Sequence, residues 1–348
     1  MALNKVNLFR IDGTLGAVSN IQTSAINGGP ISGTRNRIIN GDMRIDQRNN
    51  GAAVTTGFAV DRWQVYSTQS SKWSAQRSTI APTEFSNSFA VTSSSAYTLL
   101  STDYFSVTTR IEGFNTADLG WGTANAKTVT VSFWARSSLT GTFGGALHNN
   151  AFNRVYPFSY TISAANTWEQ KTITIAGDTT GTWTADDSVG IEIGFSFGAG
   201  SSRVAAAGSW SGTADVFSAT GQTSVVGTNG ATFYITGVQL EPGTVATPFE
   251  RRTIGQELAL CQRYFERGNG ILLAAFSGGT FGGGITNYQF KATKRVTPTA
   301  ITTAAGTGAG LVTTFQVASL DDRLAIWWNG AAVLGDYREF TFTASSEL

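Results

Sequence analysis

The chain of 348 residues holds one cysteine, one histidine and two methionines. One cysteine excludes an intramolecular disulfide, and together with a single histidine it leaves almost no material for a zinc site or a His-dependent triad. Charge is scarce too. Asp, Glu, Lys and Arg make up 14%, with 24 basic against 23 acidic residues and a net charge of +1. That balance argues against a nucleic-acid partner, which needs a basic face, and against an anionic membrane surface. No run approaches the roughly 18 apolar residues of a membrane span, and the opening MALNKVNLFRIDG has no apolar signal core. No internal repeat of fixed period is apparent. His148, in ALHNNAF, reads as a surface-loop residue between strands. No cofactor, metal, nucleic acid or membrane insertion is expected.

What the chain does have is glycine, 40 residues, and aromatics, 11%, the composition of a β-rich protein with many turns. Thr128–Trp134 alternates Val129, Val131 and Phe133 with Thr130, Ser132 and Trp134. Lys171–Ile175 sets Ile173 and Ile175 against threonines, and Ile191–Phe197 sets Ile191, Ile193, Phe195 and Phe197 against Glu192, Gly194 and Ser196. Each pattern predicts a strand with one buried face. Phe233–Val238 closes the series, and glycine-rich stretches such as Gly141–Gly145 read as loops between strands. Many short strands without intervening helices predict an all-β fold, a sandwich of the jelly-roll kind.

One amphipathic helix is expected, linking two β units over residues 251–269. Thr253 with Gln256 forms a capping box at its start, and Gly268 reads as its stop, with Arg263 and Arg267 in the last turns. Ile254, Leu258, Cys261 and Phe265 fall on one stripe, so Cys261 reads as a small buried hydrophobe. The expected organisation is a polar N-terminal arm (1–35), a sandwich (36–250), the linking helix, and a small C-terminal β-domain (270–348). That last unit is rich in Gly and Ala, with a thin core. Its expected strands are Ile285–Lys291, Thr299–Thr303, Val312–Val317, Arg323–Trp328 and Arg338–Thr343.

VQLEPGTVATPFERR followed by ELALCQRYFE resembles the joint between two domains in tailed-bacteriophage tail fibre proteins. NRIINGDMRIDQRNNG, DRW, VSFWARSSLTGTFGGAL, YPFSYTISAANTWEQKTITI, KATKRVTPTAIT and TASSEL agree with it. NGDMRI, VSFWAR and FYITGVQLE also resemble strands of carbohydrate-binding jelly rolls. Many of those modules carry structural calcium on acids of the closing strand; here Thr236 and Gly237 stand in those places, so no calcium is expected. The resemblance implies a homotrimeric virion fibre subunit, assembled in the bacterial cytoplasm and external on the particle. The arm 1–35 would anchor to another virion protein, and the chain would attach to a host cell-surface glycan without catalysis. The alternatives are a purely structural head, collar or decoration fibre, and a glycan-degrading tailspike.

Trp183 and Trp210 lie in polar, small-residue stretches (GTWTADD, GSWSG). An exposed indole stacks on a sugar's C–H face, and Asp186 and Asp187 nearby can accept its hydroxyl protons. The competing reading is that these indoles staple loops or pack between subunits. Trp328, with Tyr337, is a further contact candidate. Asp186–Asp187 and Asp321–Asp322 also read as solvated turn residues rather than carboxylates facing each other across a sugar. The Ile254, Leu258, Cys261 and Phe265 stripe would face its copies at a trimer axis. Light scattering on the purified protein is therefore expected to give about three times 36.8 kDa; a stable folded monomer would exclude the trimer.

Overall fold

In the computed structural model, described for residues 34–273, 282–304, 315–320, 322–331 and 337–348 with short pieces at Ala25–Ile26 and Gly29–Pro30, the alternating segments become two facing antiparallel sheets. The eleven strands of these sheets begin with β1 Gly57–Val60, β2 Trp63–Ser67, β3 Trp73–Ser78, β4 Ser88–Ser93, β5 Tyr104–Glu112 and β6 Val129–Ser137. They continue with β7 Gly141–His148, β8 Val155–Ile162, β9 Glu169–Ile175, β10 Val189–Ala199 and β11 Thr232–Pro242. One sheet runs β8-β7-β10-β5-β2-β1 and the other β9-β6-β11-β4-β3. The pairs nest. The β7/β8 hairpin lies in one sheet, β6/β9 around it in the other, then β5/β10 and β4/β11. This is the jelly-roll wrapping, and it confirms the all-β sandwich. The arm, residues 1–35, lies almost wholly outside the described residues.

The core between the sheets is aromatic. Trp63, Trp73, Phe89, Phe105, Phe133, Phe195, Phe197 and Phe233 are all fully buried, with Phe133 5.0 Å from Phe195 and Phe197 5.1 Å from Phe233. Aromatic pairs at such separations add to the area they bury. Two expectations are corrected here. Gly141–Gly145 is not a loop but the start of β7: a Cβ on Gly145 would sit 2.1 Å from the Gly194 carbonyl oxygen, so the glycines permit close strand approach. His148 ends that same strand and is 1% exposed. The long segment between β10 and β11 folds back over the sheet's outer face, packing Val216 on Ala146 and Val155, and Val216 O lies 2.6 Å from His148 Nε2. Burial holds the imidazole's pKa below its usual value.

The helix is shorter than its pattern. α1 spans Ile254–Gln262, with the Thr253–Gln256 capping box in place. It buries Glu257, Cys261 and Gln262 and leaves Ile254 55% exposed. Cys261 is buried as expected, and burial pushes its thiol pKa up. Phe265 is not on the helix: it opens β12, Phe265–Leu273, and Gly268 lies inside that strand. Pairing decides this. β12 lies along β17 (Tyr337–Ser345) in register Phe265↔Ser345, and a nine-residue ladder outweighs two more helical turns. The C-terminal part adds β13 Gly282–Gln289, β14 Thr299–Ala304, β15 Phe315–Ser319 and β16 Arg323–Ala331. They form two three-stranded sheets, β12-β17-β14 and β13-β16-β15. Among the residues there whose side chains are described, Phe290, Leu324, Phe342 and Ala344 are buried. They are reinforced by a fully buried Lys294–Glu266 pair at 2.7 Å. Lys294 also donates to the Gln262 carbonyl at 2.5 Å.

Glu112, 1% exposed at the end of β5, clamps the joint. Arg263 donates to it twice, at 3.0 and 2.6 Å, and Tyr264 donates its hydroxyl at 2.7 Å. Burial opposes the Glu112 charge, but these donors outweigh it and hold its pKa below the usual 4.5. Asp178, bonded by Arg154 at 2.7 and 2.8 Å, is lowered likewise against its burial. A folded pKa below the unfolded one adds stability in full above about pH 4.5, and that stability is lost as pH falls through the folded value. Glu112→Gln is thus expected to cost about 2 kcal/mol at pH 7 and less at pH 3. Urea unfolding at both pH values measures this, and equal costs would contradict the clamp.

Candidate binding site

The outer face of the six-stranded sheet holds a candidate site. Along β5 the inward residues are Phe105 and Val107, both fully buried in the core. The period of two then turns Tyr104, Ser106, Thr108 and Arg110 outward. Register sets Ser196 opposite Ser106, Gly194 opposite Thr108 and Glu192 opposite Arg110 on β10. On β2, Tyr66 lies opposite Ser106. A pocket of about 240 Å³ is built on this floor, with Tyr66, Tyr104, Phe152, Asp215 and Phe217 around it. Glu192 and Ser196 were expected on an open face, yet they are 2% and 1% exposed, because the 203–222 segment and the loop carrying Phe152 rise above the sheet.

Three hydroxyls of this floor, on Ser106, Thr108 and Ser196, are buried and have no hydrogen-bond partner. A buried unsatisfied polar group costs about 1–3 kcal/mol, and each hydroxyl offers one donor and two acceptor positions. Arg110 closes one end. Its Nε donates to Glu192 at 2.6 Å, Nη2 to the Tyr66 hydroxyl at 2.9 Å, and Nη1 to the backbone oxygen of Leu348 at 2.5 Å. At the other end Tyr104 and Phe217 stack with ring centres 4.5 Å apart. Arg203 lies 5.9 Å from both rings and pairs with Asp215 at 3.0 Å. Phe152 and Asp215 take left-handed backbone, φ 53° and 58°, a conformation that costs non-glycine residues energy and clusters at ligand sites. The site thus offers aromatic rings beside hydroxyls and a carboxylate.

The tryptophans are placed differently. Trp183 and Trp210 are half-buried and pack on the core. With Trp121 they form an edge-to-face triad at 4.7, 5.3 and 5.4 Å. Their indole N–H groups donate to backbone, Trp183 to Thr180 O at 3.2 Å and Trp210 to Ala176 O at 2.7 Å. Trp183 and Trp121 line a second cavity of about 170 Å³, which neither Asp186 nor Asp187 lines. Asp186 accepts from Ser188 N at 2.9 Å and from the Ser188 hydroxyl, as a turn residue does, and these bonds lower its pKa. The Asp187 carbonyl accepts from Arg295 at 2.9 Å. The side chains of Trp328 and Tyr337 lie outside the described residues.

Sequence reasoning missed Tyr66, Tyr104, Ser106, Thr108, Arg110 and Glu192. The signal available was the aromatic and polar alternation of β5 opposite its apolar face. Trp210→Ala is expected to cost about 3 kcal/mol, as for truncating a packed aromatic, and to leave ligand binding in the outer-face pocket unchanged. Urea midpoints with parallel binding assays check it; unchanged stability with lost binding would assign the triad to a ligand instead.

No protein-family model matches the sequence, and no curated protein matches it. Among solved structures, the enzymatically active domain of tailspike protein 4 from bacteriophage CBA120 is 13% identical, over 60% of this chain and 21% of that chain, with a TM-score of 0.34. The family 11 carbohydrate-binding module of Clostridium thermocellum, in complex with a β-1,3-1,4-mixed-linked tetrasaccharide, is 13% identical over 54% of this chain and 92% of that one, at 0.31. TmCBM61, in complex with β-1,4-galactotriose, is 12% identical over 60% and 99%, at 0.31. These are distant likenesses of the β-sandwich.

Proposed function

We propose that this chain is a non-catalytic adhesin, a subunit of a homotrimeric virion fibre that attaches a phage to host surface glycan. The carrying observation is the outer-face pocket, where buried, unpartnered hydroxyls of Ser106 and Thr108 lie between Tyr66 and Tyr104. Sugars need aromatic surface for their C–H faces and fixed polar groups for their hydroxyls, and both converge here. The tail-fibre-like motifs supply the virion context: residues 1–35 dock on another virion protein, and the particle carries the fibre externally. In a trimer three shallow sites act together, because later contacts become intramolecular.

A purely structural fibre is the second reading, favoured by the packed, hydrogen-bonded state of Trp183 and Trp210. A glycan array with the full-length protein separates the two. Binding is expected, and Tyr104→Ala is expected to weaken it by about tenfold or more, as loss of one stacking contact does. An array without hits would favour the structural fibre.

A further inference from the structure

Resting on the glycan-binding reading, we infer that the outer-face pocket takes one uncharged sugar ring at a chain end, not the middle of a glycan chain. Three observations carry this. The first is size. The pocket's 240 Å³ falls below the roughly 300–1,000 Å³ of sites that enclose drug-sized ligands, which suits a single pyranose.

The second is that both ends along the strands are walled. At the Tyr104 end, Phe217 stacks on Tyr104, and Arg203 sits against both rings. At the Arg110 end the space beyond shrinks to a void of about 10 Å³ bounded by Arg62, Glu347 and Leu348. That wall is fixed, since Leu348 accepts from Arg110, and Glu347 pairs with Arg62 and with Arg48 at 2.8 Å. A chain running through would have to displace one wall or the other.

The third is charge. Arg110 is paired with Glu192, and Arg203 with Asp215. The lining therefore offers no free cation to a uronate or sialate. Selectivity within this class comes from the floor. Gly194, between Glu192 and Ser196, has no side chain, and a Cβ there would meet Thr108 Cγ2 at 3.2 Å. A larger residue there would press on Thr108, which lines the pocket.

Ligand-observed NMR titrations of the full-length protein test this. The probes are methyl glycosides of glucose, galactose, mannose and N-acetylglucosamine, the matching linear tetrasaccharides, and methyl glucuronide. For the sugar that binds, the glycoside is expected within about tenfold of its tetrasaccharide. The glucuronide should be weaker by about tenfold or more, and Gly194→Val should abolish binding while keeping the parent circular dichroism. A tetrasaccharide that binds without its glycoside overturns the chain-end inference and leaves the glycan reading standing. A glucuronide bound as tightly as the neutral glycosides overturns the neutral preference. Binding that survives in both Gly194→Val and Tyr104→Ala places the site elsewhere. No binding by any probe sinks the glycan reading itself.

Discussion

Arginines at the joint, each held between a carboxylate and an aromatic ring, are what the rest of this molecule hangs on. Arg62 is 3% exposed and adopts left-handed backbone, φ 71°. Its guanidinium lies 3.6 Å from the Tyr264 ring, pairs with Glu347 and donates to the Arg110 carbonyl at 2.6 Å. Arg48 is stacked between Phe58 at 4.4 Å and Phe265 at 3.6 Å, and it pairs with Asp61 at 3.1 Å and with Glu347. Burial raises the Asp61 pKa, and Arg48 opposes that rise. A buried ion pair stabilises little in net terms, yet deleting one partner leaves a stranded charge at about 3–5 kcal/mol. These pairs tie the sandwich to the C-terminal strands, because separating them would strand the charges.

The binding pocket inherits its shape from that docking. Arg110 belongs to both: it lines the pocket, pairs with Glu192, and reaches Leu348 in the last strand's extension. The tail of the C-terminal unit thus becomes a wall of a site built on the sandwich. Arg295 anchors the same tail, donating to the Ser346 and Glu347 carbonyls at 2.8 and 2.9 Å. The short helix is subordinate to this joint. Its C-cap residue Arg263 turns to Glu112, and the chain passes at once into the strand that pairs with the tail.

The motifs singled out in the sequence are scattered from Asn36 to Leu348, yet in space many of their polar residues meet at this joint. Asn40, from NGDM, donates to the Ile45 and Asp61 carbonyls at 2.8 and 2.9 Å and accepts the Trp63 indole N–H at 3.0 Å. Its backbone N–H reaches Glu257 of the helix at 2.5 Å. Gly41 packs so closely that a Cβ would lie 2.1 Å from the Val238 carbonyl oxygen of the closing strand. Asn36 and Gln239 bond Glu250, and Glu241 holds Thr247. The motifs therefore describe the scaffold. Most pocket residues, among them Tyr66, Tyr104, Ser106 and Phe217, lie outside them.

By itself the sequence determined what is periodic or local. The strands of the sandwich follow from alternation, because a strand buried on one side repeats every second residue. The helix start follows from Thr253 and Gln256, whose bonds span three residues, and the buried Cys261 follows from its place on that helix. Tertiary structure decided what depends on partners distant in the chain. Phe265 became a strand because β17 lay beside it, and His148 was buried because residues 203–222 crossed the sheet. Trp183 and Trp210 joined Trp121 instead of facing solvent, since indole N–H groups found backbone carbonyls and the rings found one another. The pocket joins residues from Tyr66 to Phe217. Alternation says that Ser106, Thr108 and Glu192 face away from the core, but only the segments folded above them turn that outer face into a site.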